Sequence, residues 1–515
     1  MACHQKIIAL QEDGFIIQPD FKIPKVQMIS DATCAIECFR QHIYGILGDL
    51  PWLPNQDTFK IAVAYRCAEG YGDRATAIKV AEWLKKEGFS PILLENTRNA
   101  ATHGSFHTDL PHYQMNTVPE GTASIDCLLH LPSGLTQEVG QGINDLQRQG
   151  IYTPKTSSHS FQEPGFKIPG GGGGPGLGLA NYESGLPPAS QLLEEDQGLH
   201  RLEKQTLYEQ LLKGKTEGNY KKSTHLAVAY QHIPVNAVRA ILMIAAVHSD
   251  DLKDIDIVAH TWDNPQNPKA RHVLMSYDPF PTVYERLCSP KAMALLKAMG
   301  VGSVEFCIEG QKSQPIYINE TGKVLRILDY FPLTSKDLSR VLHESVPISG
   351  TTGINTFSET VSRNGLPIYE TLWMNRDFYQ EILGAAHYFD PDSEGLHAYF
   401  RGIEALCVEG GAIHNPDESL RYENFKPLAD LARSETLQAQ LSKFNEWIVK
   451  EKNIFRTIRG IINAQYLSSI NPEINALMKC GKIPEGLDTP ERLKAILLEA
   501  VMEANLKKDF ELSHL

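Results

Sequence analysis

Two stretches of the chain repeat one arrangement of apolar and polar positions. In the first, Lys60 to Tyr65 (K-I-A-V-A-Y) is an apolar run of strand length and Glu69-Gly70-Tyr71-Gly72-Asp73 is a turn. Ala75 to Lys86 then places Ile78, Ala81 and Leu84 on one helical face. Gly88 ends that helix and Pro91 to Leu94 gives another strand, which predicts a right-handed βαβ unit of a parallel sheet. In the second stretch, His225 to Tyr230 (H-L-A-V-A-Y) echoes the first strand, a helix covers Val238 to Val247, and a strand follows at Ile255 to Ala259. Val304 to Ile308 and Val324 to Leu328 continue the strand pattern.

Helical spacing dominates the outer segments. Ala32, Ile36, Phe39, Ile43 and Leu47 share a face after Asp31, which suits a helix cap, and another helix is expected over Leu199 to Leu212. Beyond about residue 425 the pattern is helical again, with Leu437, Leu441, Phe444 and Ile448 on one helix and Leu493, Ile496, Leu497, Ala500, Val501 and Ala504 on the last. Between the two α/β stretches, Gly170 to Gly174 form an unbroken run among many prolines, with no lysine placed as a phosphate-binding loop needs. That composition reads as a linker or mobile loop. The expected organisation is an N-terminal domain over 1–155, a Gly/Pro-rich linker over 156–198, a second domain over 199–425 and a helical extension over 426–515.

Residues Ser349 to Glu370 read S-G-T-T-G-I-N-T-F-S-E-T-V-S-R-N-G-L-P-I-Y-E. The reading is a glycine- and threonine-rich turn that opens into a short helix, packed through Ile354, Phe357 and Val361, and closes on a Gly-Leu-Pro-Ile-Tyr strand. Open backbone N–H groups at a helix start, with the positive end of the helix dipole, suit a diphosphate. An ordinary turn capped by Thr or Asn is written in the same letters.

Composition narrows the functions. The 515 residues call for more than one core, and 42% hydrophobic with 22% charged residues is ordinary for a folded protein. A formal charge of -13 with no compact basic tract argues against nucleic acid or an anionic membrane as partner. The nine cysteines are scattered without a C-x-x-C pair, and His248, His260 and His272 lack ligand spacing, so no metal site is expected. No run reaches transmembrane length and the N-terminus lacks a signal-peptide core, which reads as a cytosolic protein. The acidic end with Glu499, Glu503 and Glu511 resembles the C-terminal signals of effectors that bacteria deliver into a host cytosol.

Two Rossmann-like halves facing a cleft, with the phosphate site in the second, is the plan of a GT-B glycosyltransferase. Glu69 to Asp73, Pro164-Gly165-Phe166 and Tyr330-Phe331-Pro332-Leu333 with Asp337 after them resemble the bacterial protein-arginine rhamnosyltransferase family that modifies an elongation factor. The resemblance implies Asp73 as general base, Glu69 as its acidic companion, and Tyr330 and Phe331 beside the base of a nucleotide-sugar donor. It also implies Gly353, Asn355 and Thr356 as the phosphate turn, which the glycine- and threonine-rich reading extends to Ser349, Gly350, Thr351 and Thr352. The Gly-x-Asn-Thr-x-Ser-Glu form resembles other GT-B donor sites, in which Glu359 reaches the ribose or the sugar. Leu333 stands where that family has Gln, and Ile354-Asn355 where it has Glu-Asp. The expected fold is therefore α/β, two Rossmann-like domains with a helical C-terminal extension. The expected function is metal-independent, inverting transfer from a nucleotide-sugar to an acceptor such as a protein side chain, without a prosthetic group. A nucleotide-sugar epimerase using Asp73 and Glu359, and an inactive interaction protein, are the alternatives.

Overall fold

The structure is a computed structural model. It describes residues 31–66, 72–96, 109–131, 136–161, 177–180, 183–187, 198–263, 282–313, 315–371, 375–406, 421–480, 484 and 490–512. The chain forms two compact units, Met1–Pro187 with Lys450–Leu515, and Pro188–Val449. Both are α/β.

The first unit holds a five-stranded parallel sheet of β1 (Ile61–Tyr65), β2 (Ile92–Glu95), β3 (His112–Gln114), β4 (Cys127–His130) and β5 (Ser157–Ser160), in the order β3-β2-β1-β4-β5. Every residue of β1 is buried, as a central parallel strand between two covered faces requires. The chain runs outward from β1 through β2 to β3 and then resumes at β4 on the other side, so the strand order switches between β1 and β4.

The second unit holds seven strands, β6 (Thr224–Ala229), β7 (Asp254–Ala259), β8 (Val301–Ile308), β9 (Pro315–Tyr317), β10 (Lys323–Asp329), β11 (Ile348–Thr351) and β12 (Leu366–Tyr369). Their order is β12-β11-β6-β7-β10-β8-β9, parallel throughout except for the β8 and β9 pair. Here the order switches between β6 and β11. The two strands that echo each other in sequence, β1 and β6, thus both start a sheet beside its switch point.

The helices after Val449 return to the first unit. The helix Ile454–Ile470 packs on Asp31–Gly48 through small residues: a side chain added at Gly460 would meet the Tyr44 carbonyl, and one added at Gly48 the Arg456 carbonyl. Asn463, wholly buried, donates to the carbonyls of Leu47 at 2.9 Å and Pro51 at 3.1 Å and accepts the N–H of Leu53 at 2.9 Å. The Leu47 carbonyl, in the last turn of Asp31–Gly48, thus takes a bond from the returning helix.

Part of the segment read as a linker is packed structure. Ser157–Ser160 is a strand of the first sheet, and Leu177, Leu179 and Leu186 are buried. Lys452 Nζ donates to the Ala180 carbonyl at 2.7 Å and Thr457 Oγ1 to that of Ser184 at 2.8 Å, which ties this segment to the returning chain. The run Gly170 to Gly174 lies outside the described residues. No helix among the described residues is long and apolar enough to cross a membrane.

Candidate functional site

The carboxyl ends of β6 and β11 meet at the switch point of the second sheet. Where the strand order of an open parallel sheet reverses, the flanking connections leave in opposite directions and open a crevice, the usual ligand position in such folds. Ser349 to Thr351, read from the sequence as part of a turn, belong to the strand β11. Ser349, Gly350 and Thr351 are buried strand residues paired with Pro367, Ile368 and Tyr369 of β12, and Gly350 also pairs with Ala229 of β6. Gly350 is glycine for lack of room: a Cβ there would lie 2.9 Å from Gln231 Nε2 and 3.0 Å from both Ala229 Cα and Ala240 Cβ.

Only Thr352 separates this strand from the helix Gly353–Val361. Gly353 has φ +69 with open space where a side chain would stand, so its glycine serves the backbone turn and leaves the helix start uncovered. Thr352 occupies the cap position without a side-chain cap bond. Its Oγ1 lies instead 2.5 Å from Nδ1 of His232. Asn355 is partly exposed in the first turn. The Thr356 hydroxyl turns back on Thr352, accepting its N–H at 3.1 Å and donating to its carbonyl.

The helix on the other side of the switch, Pro234–Val247, has its start occupied by the protein itself. Glu370, wholly buried just past β12, accepts the N–H of His232 at 2.5 Å, and the N–H of Ile233 and the side-chain amide of Asn236 at 3.0 Å each. A carboxylate at a helix N-terminus satisfies open donors and complements the dipole. Among the described residues, Thr352 makes no side-chain cap bond at the Gly353 start, whereas Glu370 fills the Pro234 one.

Further along the edge, β7 and β10 end in an aromatic group. The rings of His260 and Trp262 stack at 4.5 Å, His260 lies 6.0 Å from Phe331, and Phe331 lies 5.4 Å from Tyr230. Burial alone raises the Asp329 carboxyl, but hydrogen bonds from His260 and Thr261 outweigh it and hold the group below its ordinary value. Tyr330 is buried among Leu207, Leu211 and Cys307, and that burial pushes its phenol up to about 12. Lys204 holds the Tyr330 carbonyl at 2.7 Å.

Among the sequence candidates, then, Thr352, Gly353, Asn355 and Thr356 converge on the open helix start, while Ser349, Gly350 and Thr351 lie within the sheet. Glu359 is one turn deeper and buried, accepting from Ser339 and from Arg363 at 2.9 Å each. In the first unit, Asp73 is the second residue of the helix Gly72–Lys86, directly after the switch strand β1. Its side chain and all of Glu69 lie outside the described residues. His232, Glu370 and Trp262 were not singled out by sequence. Their one signal is position, each just past a predicted strand.

No protein-family model matches the chain, and no curated protein matches it in sequence. Among solved structures it is similar to MurG of Acinetobacter baumannii at 10% identity and TM-score 0.36, covering 75% of this chain and 95% of that one. It is similar to a glycosyltransferase from Rickettsia africae at 11% identity and TM-score 0.37, covering 82% and 98% respectively. An O-GlcNAc transferase variant from Thermobaculum terrenum is similar at 11% identity and TM-score 0.30, covering 93% of this chain and 78% of that one.

Proposed function

We propose that the protein is a glycosyltransferase that binds the diphosphate of a nucleotide-sugar at the helix start Gly353–Thr356 and transfers the sugar to an acceptor. The observation that carries the reading is the start of the Gly353 helix, which among the described residues has no cap bond from Thr352 and has open space at Gly353, placed at the switch between β6 and β11. The aromatic group of Tyr230, His260, Trp262 and Phe331 at the same edge supplies rings for a nucleobase. The resemblance at Glu69 to Asp73 and Tyr330 to Leu333 supplies the sugar and the reaction class, with Asp73 as the base that takes the acceptor proton.

In this reading, the acceptor attacks the anomeric carbon with inversion. The electron pair of the carbon–oxygen bond passes to the diphosphate, whose growing charge faces the helix dipole and open amides. That makes the helix start, and no metal, the main stabiliser of the leaving group. The test is thermal shift and calorimetry with UDP, dTDP, GDP, CDP and ADP against the matched nucleosides. One diphosphate is expected to raise the melting temperature, since a ligand at a hundred times its Kd stabilises the native state by about 2.7 kcal/mol. Equal behaviour of nucleoside and diphosphate overturns the reading.

A further inference from the structure

His232 has a placement that packing does not explain. Its side chain is 44% exposed, yet one edge of the ring is fixed, with Nδ1 2.5 Å from Thr352 Oγ1 and 3.5 Å from the buried Glu370 carboxylate. Nε2 makes no hydrogen bond among the described residues. Thr352 stands where a hydroxyl ordinarily caps the helix, and its hydroxyl meets the imidazole instead. The cap bond from Thr352 is thereby left unmade and a ring nitrogen is set at the margin of the helix start. Glu370 fixes the backbone as well, by accepting the His232 and Ile233 N–H groups. The Thr352 hydroxyl holds one ring nitrogen with the Glu370 carboxylate nearby, and an imidazole fixed at one nitrogen can present the other to a ligand.

We propose that His232 is a second catalytic residue, whose Nε2–H binds the departing phosphoryl oxygen as charge develops there. The inference rests on the reading of the Gly353 helix start as the diphosphate site. The acceptor X–H forms its bond to the anomeric carbon, the carbon–oxygen bond to the diphosphate breaks with its electron pair on oxygen, and the acceptor proton goes to Asp73. His232 gives up no proton in this step. Thr352 and Glu370 are positioning residues, since they act through the imidazole.

The experiment is calorimetry of wild type, His232→Ala, His232→Gln and Thr352→Val with the diphosphate and the nucleoside that the panel above selects. Release of that diphosphate from the nucleotide-sugar is measured alongside. His232→Ala is expected to weaken diphosphate binding about tenfold or more, as loss of a charge-assisted hydrogen bond does, and to leave nucleoside binding unchanged. Turnover number should fall further than KM rises, because the charge is greatest in the transition state. His232→Gln, which keeps a neutral donor, and Thr352→Val, which keeps the imidazole but frees it, should fall between. If wild type binds no diphosphate, the site reading fails and His232 with it. If wild type binds but His232→Ala binds and turns over equally well, only the role of His232 is overturned. His232→Gln and Thr352→Val decide the matter should the alanine variant lose its fold.

Discussion

Asn236 donates its side-chain amide to Glu370 at 3.0 Å, in the first turn of the Pro234–Val247 helix, through the oxygen that also receives the Ile233 N–H. Glu370→Gln keeps the size but sets an amide NH2 against backbone donors. The expected loss of unfolding free energy is about 1–3 kcal/mol in urea denaturation, the cost of an unmet buried polar group. A variant as stable as wild type would show that the carboxylate does not hold this helix start.

The two glycines of the site should respond differently to alanine. Gly350→Ala drives a methyl group against Ala229 and Ala240, where neither backbone nor Cβ can swing aside, and should cost about 1–3 kcal/mol. Gly353→Ala meets open space and bears only the left-handed backbone, about 1 kcal/mol. Denaturation midpoints in the reverse order would contradict the close fit at Gly350.

Asp73→Asn preserves size in the first turn of its helix and removes only a charge that favours the helix start, so the fold should survive with a loss of about 1 kcal/mol or less. Removal of the base should cut transfer about a hundredfold or more while donor affinity, measured by calorimetry, stays unchanged. Full activity in this variant overturns the assignment of Asp73 as the base.

His130 ends β4 almost fully buried, and burial lowers its pKa to about 4. The unfolded chain takes up this proton near pH 6.5 and the folded one only near 4, so the native state loses stability as pH falls between those values. Between pH 7 and 5 the loss from this one group is about 2 kcal/mol. His130→Leu should flatten the pH dependence of urea unfolding by that amount, and an unchanged slope would exclude the assignment.

The parallel sheets were legible where their strands run buried on both sides, as in β1, β6, β7 and β10, because such strands read as plain apolar runs. β3 (H-Y-Q) and β5 (S-S-H-S) lie at the sheet edges and depend on backbone pairing, so periodicity passed over both. β11 was taken for a turn since Ser, Gly and Thr carry little strand preference; the close fit of Gly350 against β6 decides its conformation. The Gly353 helix start was readable because turn, cap and helix are adjacent in sequence. His232 and Glu370 were not, being 138 positions apart and joined only by the strand order.

The return of Ile454–Ile470 onto Asp31–Gly48 gives the first unit two segments that leave the ribosome at different times, with the whole of the second unit made between them. The contiguous unit Pro188–Val449 emerges complete in between and is free to fold first. Until the last helices are made, Ile43 and Leu47 lack the surface that buries them and the Leu47 carbonyl lacks Asn463. A chain cut short after Val449 therefore lacks the helix that covers Asp31–Gly48 in its first unit.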